Sequence, residues 1–155
     1  MTKHATQDDS WTTTRCYATA LRRADRAINR IYDDALRPFG LTTQQYSLLS
    51  LISRAPEDVT ASRLADAQAM DRTTMSRNLE QLAAAGFVTF TPAEDRRKRL
   101  INLTPSGTEM LATARPHWRA VQDRIESEQG LQHLTELISE LESLSESAKA
   151  AGTRT

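Results

Sequence analysis

The 155-residue sequence predicts a mainly α-helical fold with one small β-hairpin, and three observations lead to this prediction. Apolar residues recur at helical spacing near both ends of the chain. Two short helices joined by a polar turn are indicated between residues 64 and 79, and two β-type segments, 87–90 and 100–103, enclose a basic tip. This order predicts a winged helix-turn-helix core between N- and C-terminal dimerisation helices.

Length and composition favour a single domain over residues 1–155. The hydrophobic content of 39% is low for an isolated domain, which indicates that a partner completes the core. No run of about 18 apolar residues is present, and residues 1–10 lack the apolar stretch of a signal peptide. We therefore expect a cytoplasmic protein that neither spans nor binds a membrane.

The net charge is zero, which at first argues against a nucleic-acid partner. The charges are nevertheless segregated along the chain. Four consecutive cations stand at positions 96–99, whereas glutamates gather towards the C-terminal end: Glu126, Glu128, Glu136, Glu140, Glu142 and Glu146. Segregation of this kind gives one face a positive potential without a basic total.

A long first helix is predicted over residues 11–37. Its apolar or small residues keep helical spacing, and Pro38 and Gly40 then end it. The next helix begins with a capping box formed by Thr42 and Gln45 and ends before Pro56. Its apolar positions, Leu48, Leu49, Leu51 and Ile52, are expected in the core.

A helix-turn-helix follows, in which Thr60 or Ser62 opens the first helix and Asp71 caps the second. Helical phase places Met75, Leu79 and Leu82 on the buried face of the second helix. Short hydroxyls and an arginine then form its exposed start: Thr73, Thr74, Ser76 and Arg77. Arg72 lies nearer the core side by phase and is a candidate phosphate contact from the first turn. These residue types suit contacts with base edges and phosphates in a major groove, although a solvated helix face is the plainer alternative.

The hairpin is predicted to have residues 91–99 as its tip. Asp95 and Arg97 are two residues apart, so both can point to one side of an extended strand. Together with Arg96, Lys98 and Arg99 they form a candidate DNA contact.

After the hairpin, Thr104 and Pro105 begin a helix that runs towards Gly130 and is expected to bend at Pro116. A stripe of leucine and isoleucine follows with a spacing close to 3.5 residues: Leu131, Leu134, Leu137, Ile138, Leu141 and Leu144. Residues 11–37 and 108–150 are therefore predicted to form a dimer interface around a winged helix-turn-helix at 41–107.

Two stretches resemble the multiple-antibiotic-resistance regulator (MarR) family of bacterial winged-helix repressors. They are Asp-Arg-Arg at 95–97 with Ile-Asn-Leu-Thr-Pro-Ser-Gly at 101–107, and the helix-turn-helix from Leu64 through Arg77 with Gly-Phe-Val at 86–88. The resemblance implies a homodimer that binds pseudo-palindromic double-stranded DNA and is often released by a small molecule or an oxidant. It also implies that Asp95 braces Arg97, which enters the minor groove while its basic neighbours serve phosphates.

The resemblance further implies an effector pocket where the dimerisation helices meet the winged domain. Candidate lining residues are Trp11, Arg15, Tyr32, Phe39, Tyr46, His117 and Trp118. A small aromatic anion would require an arginine near aromatic rings, as Arg15 stands near Trp11. Taken singly, each of these residues is better explained by a structural role than by ligand contact.

One branch of the family senses organic hydroperoxides through a cysteine near the start of the first helix, so Cys16 is a candidate redox residue. Arg15 could lower its thiol pKa. The sequence departs from that branch at Thr43, where a second tyrosine is expected, and a lone cysteine is commonly a small packing residue.

No feature of the sequence points to an enzyme or a cofactor. Cys16 is the single cysteine, and the three histidines, His4, His117 and His133, have no metal-ligand spacing. The chain has only five glycines and no phosphate-binding glycine loop. The remaining alternative is a winged-helix module that binds an acidic protein through its basic tip, which would show no salt-dependent binding to duplex DNA.

Overall fold

The structure, a computed structural model, describes residues 16–55, 59–94 and 99–152. Its elements in chain order are α1 (Tyr17–Leu36), a 3₁₀ turn (Arg37–Phe39), α2 (Thr43–Arg54), α3 (Ala61–Ala67), α4 (Arg72–Ala84), β1 (Val88–Pro92), β2 (Arg99–Leu103), α5 (Pro105–Gln129) and α6 (Leu131–Gly152). The predicted mainly α fold with one hairpin is confirmed. Residues 11–15 of the predicted first helix lie outside the described residues.

Helix starts follow the capping residues that the sequence indicates. Thr42 accepts the backbone N–H of Gln45, whose side chain accepts the N–H of Thr42 in return. Thr60, rather than Ser62, caps α3. The side chains of Asp71 and Thr104 cap α4 and α5 in the same way, so helices α2 to α5 each begin at a side-chain cap in their own sequence.

The two strands pair antiparallel from Val88 opposite Leu103 to Pro92 opposite Arg99. The predicted tip of 91–99 is therefore too long, because pairing continues to both of its ends. Val59 adds to the far side of β2, where its carbonyl accepts the N–H of Ile101 at 2.8 Å. β2 is thus bonded on both sides, which anchors the base of the hairpin to the segment that precedes α3.

One core joins the end of α1, helices α2 to α4, the hairpin base and the first half of α5. Its most completely buried side chains come from several elements: Leu36, Leu48, Leu49, Met75, Leu79 and Leu82. The three from α4 are the residues that helical phase placed inside, so that helix is fixed by its apolar face and presents the opposite face to solvent.

The start of α5 lies directly against the chain that leads into β1. The N–H of Thr104 donates to the carbonyl of Phe87 at 3.0 Å, and the Thr104 hydroxyl donates to the carbonyl of Gly86 at 2.6 Å. A Cβ atom at Gly107 would overlap the Phe87 carbonyl group. Glycine at this position therefore allows α5 to approach the hairpin base closely.

Helices α1 and α6 keep apolar side chains in solvent. Tyr17 is 80% exposed, Leu131 is 64% exposed and Ile138 is 57% exposed. Leu21, Ile28, Leu137, Leu141 and Leu144 are exposed as well. Among the residues that the structure describes, no helix combines the length and the apolar character needed to cross a membrane.

Helix α1 is tied to the start of α2 by one acidic side chain. Oδ1 of Asp33 accepts the backbone N–H of Thr43 at 2.7 Å and its hydroxyl at 2.6 Å. The Thr43 hydroxyl also lies 3.4 Å from the carbonyl oxygen of Asn29. Because Thr42 and Gln45 already satisfy other donors of this helix start, Asp33 completes its capping from a neighbouring helix.

Candidate nucleic-acid interface

The solvent face of α4 carries the side chains that the sequence assigned to DNA. Arg72, Thr73, Ser76 and Arg77 are exposed, whereas Thr74 is half-buried. Helical phase put Arg72 nearer the core side, but the structure leaves it exposed in the first turn. A rigid row of hydroxyl and guanidinium groups results, with donors suited to phosphate oxygens and base edges.

The start of α4 is held by two side-chain hydrogen bonds. Oδ1 of Asp71 accepts the N–H of Thr74 at 2.8 Å, and hydrogen bonds from Thr74 hold the pKa of the Asp71 carboxyl below its usual range. One turn later, Nδ2 of Asn78 donates to the carbonyl of Thr74 at 3.0 Å and lies 3.8 Å from Sδ of Met70. Asn78 therefore braces the helix against the preceding turn.

The turn between α3 and α4 is sharp. Ala69 has a φ of +48°, its N–H donates to the carbonyl of Asp66, and the N–H of Met70 donates to the carbonyl of Ala65 at 2.9 Å. This pattern is a Schellman motif with alanine at the left-handed position. It sets the angle between α3 and α4 and thus the direction in which α4 projects.

In the hairpin, Arg99 belongs to β2 and not to the loop. Its guanidinium carbon lies 4.4 Å from the centre of the Phe90 ring, and its backbone pairs with Pro92. Arg99 was predicted in a flexible tip because nothing in the local sequence marks the end of strand pairing. The stacked guanidinium remains exposed and is held at the edge of the hairpin. Asp95, Arg96, Arg97 and Lys98 lie outside the described residues.

The candidate effector residues that the structure describes form an aromatic cluster. Trp118 of α5 stacks on Tyr32 of α1 at 5.9 Å and on Tyr46 of α2 at 5.5 Å between ring centres. Phe39 meets His117 edge-on at 4.8 Å. Tyr32 and Tyr46 are only 7% and 3% exposed, so these rings fill the junction between α1, α2 and α5. Trp11 and Arg15 lie outside the described residues.

Burial raises the pKa of both tyrosine hydroxyls. At Tyr46, the neighbouring Arg115 opposes this effect through its charge and a hydrogen bond. Arg115 was not among the residues that the sequence indicated. Its spacing of three residues from Trp118 is the signal that would have placed it near this face of α5.

Cys16 is exposed and stands at the N-cap position of α1. Hydrogen bonds from the side chain and backbone of Thr19 lower its pKa, and Arg22 contributes through its positive charge. Tyr17, its neighbour, points into solvent. Within the described ranges, no group of three or more His, Cys, Asp or Glu side chains could hold a metal ion.

Comparisons with known proteins agree with this geometry. The sequence profile of the MarR family matches residues 39–99. The transcriptional regulator MosR of M. tuberculosis, solved in complex with DNA, is 36% identical, with 88% of this chain and 98% of that chain covered and a TM-score of 0.81. AbsC of Streptomyces coelicolor, a MarR family transcriptional regulator, is 26% identical over 89% of this chain and 97% of its own, with a TM-score of 0.76.

Among curated proteins, the transcriptional regulator PecS of Dickeya dadantii is 26% identical over 114 residues. That match spans 72% of this chain and 65% of the length of PecS. The match to MosR covers 88% of this chain and so extends well beyond residues 39–99, which the family profile matches. The chain therefore belongs to the MarR family of winged helix-turn-helix transcriptional regulators.

Proposed function

We propose that the protein is a homodimeric, sequence-specific DNA-binding regulator that represses transcription from a pseudo-palindromic operator. The observation that carries this proposal is the exposed face of α4, with Arg72, Thr73, Ser76 and Arg77 in solvent and Met75 and Leu79 fixed in the core. A helix anchored in this way can enter a major groove without reorganisation. The DNA complex of MosR, the relative at 36% identity, supports this assignment.

The homodimer is supported by the apolar side chains that α1 and α6 leave in solvent. Exposed apolar stripes along two helices of one chain fit a second copy that buries them. In such a dimer, a two-fold axis relates the two α4 helices, which must reach successive major grooves about 34–36 Å apart.

The contacts divide by role. Arg77 bonds a guanine or holds a phosphate, and the hydroxyls of Thr73 and Ser76 reach neighbouring groups. In the hairpin, Arg97 enters the minor groove with Asp95 as its brace, and Arg96, Lys98 and Arg99 serve phosphates. Binding should therefore weaken as salt rises, because counterions released on binding must return to the DNA.

The test is binding of the purified protein to its own upstream intergenic DNA at several salt concentrations. Arg77→Ala is expected to weaken specific binding by about 10- to 100-fold, and Arg97→Ala is expected to weaken it and to reduce the salt dependence. Arg30→Ala, which removes an exposed arginine from α1, is the matched control. Absence of salt-dependent DNA binding in the wild type would favour the protein-interaction alternative.

We further propose that a small aromatic anion relieves DNA binding. Tyr46 and Trp118 stack beside Arg115, which combines aromatic surface with a guanidinium group. Salicylate is a suitable probe, and Trp11→Phe leaves Trp118 as the single tryptophan reporter. Quenching of Trp118 fluorescence that Arg115→Gln abolishes would support the site, and quenching that persists in Arg115→Gln would contradict it.

A thiol sensor is the second candidate function, because Cys16 is exposed with a lowered pKa. Its thiolate would attack an organic hydroperoxide, forming a sulfenic acid and releasing the alcohol once a proton is taken up. Loss of DNA binding with cumene hydroperoxide in the wild type, but not in Cys16→Ser, would establish this function. Equal binding with and without peroxide in both proteins would exclude it.

A further inference from the structure

Contacts of two kinds, packing and hydrogen bonds, join the winged helix-turn-helix to the dimerisation helices. The packing includes Leu36 of α1 and Leu111 of α5, which are buried in the common core. The rings of Tyr32 and Tyr46 stack on Trp118 at 5.9 and 5.5 Å, distances within the broad range that aromatic pairs tolerate. Stacking of this kind holds the two parts together but allows them to turn against one another. A directional contact is required to fix their relative orientation.

Asp33 and Thr43 supply a directional contact. One carboxylate oxygen of α1 accepts both the N–H and the hydroxyl of Thr43, at 2.7 and 2.6 Å, and both residues are half-buried. Hydrogen bonds to an ionised acceptor are short, strong and dependent on angle. Because Thr43 is the first residue of α2, these bonds fix the start of α2 relative to α1.

The orientation of α2 determines the orientation of α4. Nε2 of Gln45 lies 3.4 Å from Oε1 of Gln81, while its Oε1 accepts the N–H of Thr42 at 3.0 Å. Below these polar groups, Leu49 of α2 and Leu79 of α4 belong to one buried cluster. Close-packed interiors move as units, so α2 and α4 turn together.

We propose that Asp33 and Thr43 are positioning residues that set the separation of the two DNA half-sites that the protein accepts. In a two-fold dimer, the distance between the two α4 helices depends on how each winged helix-turn-helix is turned against its own α1. Loss of the directional bonds between α1 and α2 leaves the stacked rings and the apolar packing of Leu36, which permit a wider range of orientations. This inference rests on the proposed function, since it requires a dimer that binds two half-sites.

The DNA test uses the upstream site mapped by footprinting and variants of it with the half-sites moved one or two base pairs apart. The measured quantity is the ratio of dissociation constants for altered and natural spacing. Asp33→Asn and Thr43→Val are expected to reduce this ratio by about tenfold, which corresponds to loss of a charge-assisted hydrogen bond. Thr43→Ser retains the hydroxyl and should keep the wild-type ratio.

Asp34→Asn is the matched control, because Asp34 is the next residue of α1 and pairs with Arg37 on the surface. It should leave the ratio unchanged. If Asp33→Asn weakens binding to all spacings equally, the tie contributes only to stability and the inference is wrong. Failure of the wild type to bind any duplex would count against the proposed function instead.

A measurement without DNA tests the positioning role of Asp33 separately from the proposed DNA-binding function. Spin labels on Glu80→Cys, in a Cys16→Ser background, report the distance between the α4 helices of a dimer. Asp33→Asn is expected to broaden the distribution of distances, whereas Asp34→Asn should not. An equally narrow distribution in Asp33→Asn would overturn the inference even if DNA binding had not been observed.

Discussion

Ala69 and Gly86 occupy equivalent positions in two helix ends. Each follows a helix, each has a positive φ, +48° at Ala69 and +78° at Gly86, and each is enclosed by the same pair of backbone hydrogen bonds. Only one of the two is glycine. Since a Cβ atom is unfavourable in the left-handed region, Ala69 carries a local strain that Gly86 avoids.

We therefore predict opposite effects of matched substitutions at these positions. Ala69→Gly should raise the free energy of unfolding by about 1 kcal/mol, and Gly86→Ala should lower it by a similar amount. Urea denaturation followed by circular dichroism measures both. A loss of stability in Ala69→Gly would mean that chain entropy outweighs the strain at this turn.

Capping is a role that the sequence alone can predict for a single residue. Thr42, Asp71 and Thr104 act within three residues of themselves, so the sequence alone identifies them. Asp33 is different, because its bond to Thr43 spans a turn whose geometry no local pattern specifies. Arg99 was misplaced for the same reason, since the length of strand pairing depends on its partner strand.

At the scale of the element, α4 depends on the cap at its start. Hydrogen bonds from Thr74 lower the pKa of Asp71 below its unfolded value, so the ionised form is preferred in the folded protein. This contribution to stability is present above the unfolded pKa and is lost as the pH falls through the lower, folded pKa.

Asp71→Ala is accordingly predicted to lower the thermal midpoint by roughly 2–5 °C at pH 7. The difference from the wild type should begin to shrink below about pH 4, the ordinary range of an aspartate pKa, and should disappear as the pH falls through the lower pKa of folded Asp71. Thermal melts over a pH series test this. Asp71→Asn still accepts the hydrogen bond, so its thermal midpoint at pH 7 should lie close to that of the wild type. Its midpoint should not show the additional decrease at acid pH that protonation of Asp71 causes in the wild type.

The start of α5 gives a second prediction for an element. Gly107→Ala would drive a methyl group into the carbonyl of Phe87, where backbone atoms cannot move aside. We expect a loss of at least about 2 kcal/mol in the free energy of unfolding. Ser106→Ala, an exposed neighbour in the same turn, is the control and should be close to neutral. Denaturation of Gly107→Ala at the wild-type midpoint would show that α5 can move away.

For the whole molecule, periodicity predicts where the helices lie along the chain, but it does not predict which helices contact one another. The apolar stripe at 131–144 was predicted to pack along another helix, and in the single chain Leu137, Ile138, Leu141 and Leu144 remain exposed. The stacking of Trp118 on Tyr32 and Tyr46 joins residues far apart in sequence. The sequence indicated these rings as one group only through family resemblance, since periodicity does not specify tertiary partners.

In the proposed dimer, Leu137→Glu combined with Leu141→Glu is predicted to raise the dissociation constant at least about 100-fold, because buried carboxylates without partners are costly. Sedimentation equilibrium measures this directly. Ser139→Glu with Ser143→Glu adds the same charge to the opposite face of α6 and should leave association unchanged. A double leucine variant that sediments like the wild type would mean that this stripe lies outside the interface.

The approach of Gly107 to Phe87 also limits how the chain length can vary. Three residues separate Leu103, which pairs with Val88, from Gly107. One inserted residue would rotate α5 by about 100° and bring a side chain where only hydrogen fits. Insertions and deletions should therefore be tolerated at 93–98, between the paired ends of the strands, and rejected at 104–106. A library of single-residue insertions, sorted by expression, would display this contrast directly.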